Sequence, residues 1–151
     1  MKIIVISIFM ILLNSCQEKK TFDKPINQDK IVTMNSISNY DSIANLVKSK
    51  GNVDAYDELF YYLMDSNEQD RTDTLMYYSK IMAEKYNNNE AYKRYFNAFS
   101  EKYKINFDAD NYLTLNISSL QSDVKKQAED WLRKMLEKKI ITQEQYNSVK
   151  R

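Results

Sequence analysis

The near absence of glycine and proline constrains the fold of this chain more than any other feature. One Gly and one Pro occur among 151 residues. Turn-rich β folds need these residues, or Asn-Gly pairs, at their tight turns, and this chain cannot supply them. Long stretches are rich instead in Leu, Met, Lys, Glu, Gln and Ala, which favour helices. The composition therefore predicts an all-α fold.

Apolar residues recur at helical spacing from Tyr40 onward and divide the chain into predicted helices. Gly51 ends the first helix, as a glycine just past the last turn does. Asn87 ends the third, because Asn tolerates the left-handed conformation of a turn. We expect Asn39 or Asp41, the acidic residues Asp54 and Glu90, Ser122 or Asp123, and Thr142 to cap successive helices. The predicted helices begin at Tyr40 and Asp54 and then cover about 73–85, 90–103, 122–139 and a short segment after Thr142.

Residues 112–120 form the one ambiguous segment of this region. Leu113, Leu115 and Ile117 alternate as in a strand. A lone strand has nothing to pair with, so we predict a short helix here.

A repeat with an offset of 36 residues lies within the helical region. Residues 51–60 read Gly-Asn-Val-Asp-Ala-Tyr-Asp-Glu-Leu-Phe, and residues 87–96 read Asn-Asn-Asn-Glu-Ala-Tyr-Lys-Arg-Tyr-Phe. A period in the thirties with two helices per unit is typical of helical solenoids. Over residues 43–103 the pattern resembles the Sel1-like branch of the tetratricopeptide-repeat family, with Asn87 and Tyr95 where that family has Gly and Leu. The resemblance implies a short solenoid of helical hairpins.

The first sixteen residues differ from the rest of the chain. Lys2 precedes an apolar run over 3–13 and then Leu13-Asn14-Ser15-Cys16, a pattern typical of a secretory signal. The segment resembles the lipobox of bacterial lipoproteins, with Leu three residues before the only Cys and a small residue directly before it. The resemblance implies cleavage before Cys16, a diacylglyceryl group on its sulfur and acylation of the new amine. The alternative is an ordinary signal peptide with an incidental Cys.

We therefore expect three regions along the chain. Residues 1–15 are a lipoprotein signal peptide, 16–39 are the lipidated Cys and a flexible tether, and 40–151 are an α-helical repeat domain. In Gram-negative lipoproteins an Asp directly after the lipidated Cys usually retains the protein in the inner membrane. Gln17 stands there in this chain, so the resemblance implies anchoring in the outer membrane, facing the periplasm.

The composition argues against several classes of function. With 22 basic and 21 acidic residues, the chain lacks the basic excess that nucleic-acid binding needs. It has no His, hence no imidazole base, and one Gly cannot form a Gly-rich phosphate loop. Two loops rich in Asp and Asn lack the Gly and Glu that a calcium-binding EF-hand requires. We expect a protein that is not an enzyme and that uses no metal or cofactor.

Tyrosines and acidic residues indicate a surface for a partner. Tyr is enriched at binding hot spots, and Tyr61 and Tyr77 lie off the best apolar stripes of their helices. Residues 54–73 hold seven acids against Arg71 alone, a balance that steers basic partners. The alternatives are core and rim packing for the tyrosines and a solvated face for the acids. The candidate residues are Tyr61, Tyr77, Asp57, Glu58 and Asp65.

Together these features predict an envelope lipoprotein that is anchored in the lipid bilayer through Cys16 and binds a protein or peptide. An immunity protein that neutralises a secreted toxin in the periplasm is the alternative. A third hypothesis is a carboxylate-based hydrolase acting on the cell wall. It predicts a deep pocket with two carboxylates facing each other across it.

Overall fold

The computed structural model describes residues 39–66, 71–109 and 111–151, and helices dominate them. The all-α prediction is confirmed for these residues, in which the only β pairing consists of isolated bridges. Cys16, the predicted signal peptide and the predicted tether up to residue 38 lie outside the described residues. The α-helices are α1 (Tyr40–Lys50), α2 (Val53–Asp65), α3 (Arg71–Tyr86), α4 (Asn89–Lys102), α5 (Ser122–Glu137) and α6 (Gln143–Ser148).

The α1–α2 and α3–α4 turns share one construction, 36 residues apart. Gly51 and Asn87 both adopt the left-handed conformation, with φ of 61° and 54°. The backbone N–H of Asn52 donates to the carbonyl of Leu46 at 3.4 Å, and that of Asn88 donates to the carbonyl of Met82 at 3.0 Å. These bonds satisfy carbonyls that the helix end leaves free. The sequence repeat is therefore also a repeat of backbone structure.

Asparagine side chains cap the helices that follow these two turns. The Oδ1 atom of Asn52 accepts from the Ala55 N–H at 2.7 Å, and that of Asn88 accepts from the Ala91 N–H at 3.0 Å. The prediction that Asp54 and Glu90 are the caps is wrong. Both acids lie in the first turn instead, where they face the positive end of the helix dipole.

The caps of the last two helices agree only in part with the sequence prediction. Thr142 caps α6 as predicted, in a capping box with Gln145. Gln121 precedes α5 and makes no side-chain capping bond. The prediction that Ser122 or Asp123 caps α5 is wrong, because both lie within the first turn.

The first four helices form two hairpins that pack on each other. Tyr40 at the start of α1 packs on Tyr62 near the end of α2, with ring centroids 6.1 Å apart, so these helices are antiparallel. The α3 helix packs most extensively on α4 and also contacts α1 and α2. Ala55 and Ala91 are buried at 6% and 0% exposure, consistent with close helix approach. The extension of these hairpins into a solenoid stays a prediction.

The short helix predicted over 112–120 is wrong for most of that segment. A 3-10 helix covers only Tyr112–Thr114. The Ile117 N–H then donates to the Lys150 carbonyl at 2.8 Å, and the Lys150 N–H donates to the Leu115 carbonyl at 3.0 Å. The partner for this extended segment thus comes from the far end of the chain. Among the described residues, no helix is both long enough and apolar enough to cross a membrane.

Candidate functional site

Four of the five predicted partner-binding residues share the outward side of α2. Asp57, Glu58, Tyr61 and Asp65 lie at helical spacing from one another, and all four are exposed or half-exposed. The opposite side of α2 is buried in the core through Ala55, Tyr56, Leu59 and Leu63.

The outward side of α2 consists of two adjacent stripes, each with residues at i, i+4, i+7 and i+11. One stripe consists of Val53, Asp57, Phe60 and Met64. The other consists of Asp54, Glu58, Tyr61 and Asp65. We call these eight residues the α2 outer face.

The α2 outer face combines exposed apolar side chains with uncompensated acids on its own helix. Val53, Tyr61 and Met64 are 51%, 54% and 42% exposed. The helix carries four acidic residues and no basic residue. Large apolar side chains grouped on a surface and bordered by polar residues are typical of interaction sites.

The negative charge of Asp65 destabilises α2. It is the last residue of the helix, where carbonyls without a partner inside the helix carry a partial negative charge; those of Leu63 and Met64 accept from Ser66 and Arg71. An acid at this end costs about 0.3–1 kcal/mol, whereas Asp54 in the first turn gains a similar amount. The charge of Asp65 therefore does not serve the helix and is available to a partner.

Arg94 of α4 lies against the α2 outer face, and sequence reasoning missed it. Its Nη1 atom donates to Asp57 Oδ1 at 2.6 Å, and only 11% of its side chain is exposed. Its guanidinium carbon lies 4.1 Å from the centre of the Phe60 ring and 5.8 Å from that of Tyr61, within the range of cation–π attraction. No local pattern signals this contact, because the partners lie 37 residues apart.

Neighbouring side chains stabilise the charged form of Arg94. Burial opposes the charged form, but the hydrogen bond that Arg94 donates to Asp57 and the nearby Tyr56 keep the pKa of Arg94 above its ordinary value. Asp57 is therefore already paired with a basic side chain of the protein. Asp54, Glu58 and Asp65 remain as the acids of the face for an outside cation to meet.

A buried hydrogen bond holds α2 against α3. The hydroxyl groups of Tyr56 and Ser79 lie 2.8 Å apart in the core, and burial raises the pKa of Tyr56 above its usual value. Ser79 of α3 and Arg94 of α4 thus hold α2 against its neighbouring helices without a partner. A preorganised surface loses less entropy on binding.

Tyr77 lies on a different helix from the other four candidates. It is 54% exposed, and its ring packs edge-on against Tyr78 with centroids 5.0 Å apart. Lys80 follows one turn later on the same side of α3 and lines a cleft between α3 and α5. Tyr77 thus belongs to a second surface, beside that cleft.

The cleft between α3 and α5 has a volume of about 360 Å³ and a charged rim. The rings of Tyr95 and Trp131 stack at its base with centroids 3.7 Å apart, and Gln127 donates to the Tyr95 hydroxyl at 2.8 Å. Its two carboxylates, Asp123 and Asp130, both come from α5, so they do not face each other as the hydrolase hypothesis requires. Within the described residues, no group of three or more Cys, Asp or Glu side chains is placed to hold a metal ion.

Comparisons with protein-family models, with curated proteins and with solved structures returned no match to this chain.

Proposed function

We propose that this chain is an envelope lipoprotein whose helical-hairpin domain binds a protein or peptide. The observation that carries the proposal is the α2 outer face, where Val53, Tyr61 and Met64 are exposed on a helix with four acids and no base. Burying such side chains against a partner contributes about 25 cal/mol per Å² of apolar surface. Binding through buried apolar surface and through charge needs no catalytic group.

The membrane anchor is proposed from the sequence around Cys16. One charged residue, an apolar run and a small residue precede the only thiol of the chain. Three acyl chains at this residue would exceed the two signals that stable membrane attachment needs. A polar tether of some twenty residues has a reach of roughly 25 Å, which lets the domain meet partners away from the bilayer surface.

Photo-cross-linking in intact cells tests the binding function. A photoreactive phenylalanine replaces Tyr61 in one variant and Tyr77 in another, and replaces Leu113 in a control. Leu113 is 71% exposed and lies outside both surfaces. We expect a defined protein adduct at Tyr61, at Tyr77 or at both. The proposal fails if neither position gives an adduct above the Leu113 background.

Fatty-acid labelling tests the anchor separately. We expect Cys16→Ser to abolish the label and to release the domain from the membrane fraction without unfolding it. A matched control, Cys16→Ser combined with Ser36→Cys, moves the thiol out of the lipobox and should also stay unlabelled. A Cys16→Ser protein that still carries the label and sediments with membranes contradicts the proposal.

The acids of α2 also favour a second candidate, an immunity protein that blocks a basic toxin. Helix α2 carries a formal charge of −4, which speeds encounter with a cationic surface. This role predicts a toxin gene beside this gene, and cells that express that toxin should survive only with the protein present. Survival without the protein would exclude it.

A further inference from the structure

The two hairpins differ in what covers their second helices. At the 36-residue offset, Phe60 and Met64 of α2 correspond to Phe96 and Ser100 of α4. Phe96 and Ser100 are 0% and 4% exposed, whereas Met64 is 42% exposed and Phe60 is half-buried. The same side of the repeat is therefore closed in α4, whereas in α2 Arg94 lies over the Phe60 ring and Met64 stays exposed.

The cover on α4 comes from the chain that follows it. The Phe107 ring packs edge-on against Phe96 with centroids 5.6 Å apart, and Tyr112 packs on Phe107 at 5.7 Å. The Ile105 N–H donates to the Ser100 carbonyl at 2.8 Å. An irregular segment with aromatic side chains thus closes this side of a hairpin.

We propose that the α2 outer face docks a cationic segment of a partner protein that carries an aromatic or large aliphatic anchor. The inference rests on the proposed function and specifies the chemistry of its partner. The anchor packs over the exposed Met64 and beside the Phe60 ring, which Arg94 partly covers; on α4 the corresponding Phe96 is covered by Phe107. Lys or Arg residues beside the anchor face Glu58 and Asp65, which no residue of α2 neutralises.

Charge decides between the possible occupants of this face. At the 36-residue offset, Asp57 and Glu58 of α2 correspond to Lys93 and Arg94 of α4. Because Asp54 and Asp65 correspond to Glu90 and Glu101, the α4 face is formally neutral, whereas the α2 outer face carries four acids and no base. A cationic occupant therefore complements the α2 outer face. An anionic lipid surface is disfavoured for the same reason, because it repels acidic side chains.

The dimensions of the face suit a short segment. Residues i to i+11 of a helix span about 16 Å, which is the length of roughly five extended residues. An interface of this size lies below the area of a stable protein complex, so we expect a dissociation constant of roughly micromolar order. Membrane tethering then raises the effective concentration of the two partners.

A panel of synthetic peptides tests the inference on the full-length protein in neutral detergent. The reference peptide is Lys-Lys-Phe-Lys-Phe-Lys, and its variants replace Phe by Ala or Lys by Glu. Fluorescence anisotropy should show binding of the reference peptide. Each replacement should weaken binding by about tenfold or more. Equal binding of all peptides, or binding of none, overturns the inference.

Charge reversal on the protein locates the site. Glu58→Lys with Asp65→Lys should weaken the reference peptide by about tenfold. The matched control, Glu137→Lys with Glu144→Lys, makes the same change at exposed positions of α5 and α6 and should stay within about twofold. Circular dichroism confirms that both variants are folded. Equal weakening by the two pairs overturns the site.

The cross-links described above separate failure of this inference from failure of the proposed function. A heterologous adduct at Tyr61 supports the binding function, and its loss with Glu58→Lys and Asp65→Lys supports the docking site. An adduct at Tyr77 without one at Tyr61 overturns the docking site and leaves the binding function standing. An adduct at Tyr61 with twice the mass of the chain identifies a second copy as the occupant and overturns the cationic partner. Absence of both adducts overturns both proposals.

Discussion

Replacing Gly51 with Ala should destabilise the α1–α2 hairpin by about 2–5 kcal/mol. Gly51 has a φ of 61°, a conformation that costs an L-residue about 1–2 kcal/mol. A Cβ atom there would also overlap the ring of Tyr86. The Tyr86 hydroxyl donates to the Lys48 carbonyl at 2.9 Å, so displacing the ring also breaks a bond to the end of α1. Such overpacking costs about 1–3 kcal/mol.

Urea unfolding followed by circular dichroism measures this change. With a slope of about 2 kcal/mol/M, the middle of the usual range for urea, the midpoint of Gly51→Ala should fall by about 1–2.5 M. Asn87→Gly is the matched control, because Asn87 occupies the equivalent left-handed position. It relieves strain and loses one exposed hydrogen bond from Lys138, so we expect a change within about 1 kcal/mol. An unchanged midpoint for Gly51→Ala would refute the turn geometry and the clash with Tyr86.

Other consequences follow from the caps, from Arg94 and from the buried hydroxyl of α2. Asn52→Ala and Asn88→Ala should each lower the free energy of unfolding by about 1 kcal/mol, and unequal losses in urea titrations would show that the two turns are not equivalent. Arg94→Ala should cost about 2 kcal/mol, because it removes the Asp57 bond and the aromatic contacts, while the exposed neighbour Lys93→Ala should stay within about 0.5 kcal/mol. Above pH 10 the unfolded chain releases the Tyr56 proton, and the folded protein retains it because burial raises the pKa. Tyr56 should therefore lower the stability above pH 10 by up to about 1.4 kcal/mol per pH unit, in addition to the buried Tyr92 and Tyr95, whose pKa is also raised by burial; thermal melts of Tyr56→Phe should show a shallower fall.

Local sequence patterns were sufficient to predict most helices. Gly51 and Asn87 mark turns because few other residues adopt a left-handed backbone, and the spacing of Leu59 and Leu63 marks the buried side of α2. The same periodicity placed Tyr61 outside the core, and its exposure is confirmed. These features depend on residues within one or two helical turns of one another.

Features that depend on distant residues could not be read from the pattern. Residues 115–117 were predicted as helical because the pairing partner, Lys150, follows more than thirty residues later. Arg94 appeared as one basic residue among several, since only the fold brings it to Asp57. Asn52 and Asn88 were overlooked as caps beside Asp54 and Glu90, because acids near a helix start signal both a cap and a first turn.

Cross-linking from position 61 in two charge-reversal backgrounds tests the central claim most directly. We predict a defined heterologous adduct in otherwise unchanged protein. The adduct should be lost with Glu58→Lys and Asp65→Lys, and retained with Glu137→Lys and Glu144→Lys. An adduct that persists undiminished when the acids of α2 are reversed would contradict the assignment of this face as a docking site for a cationic partner.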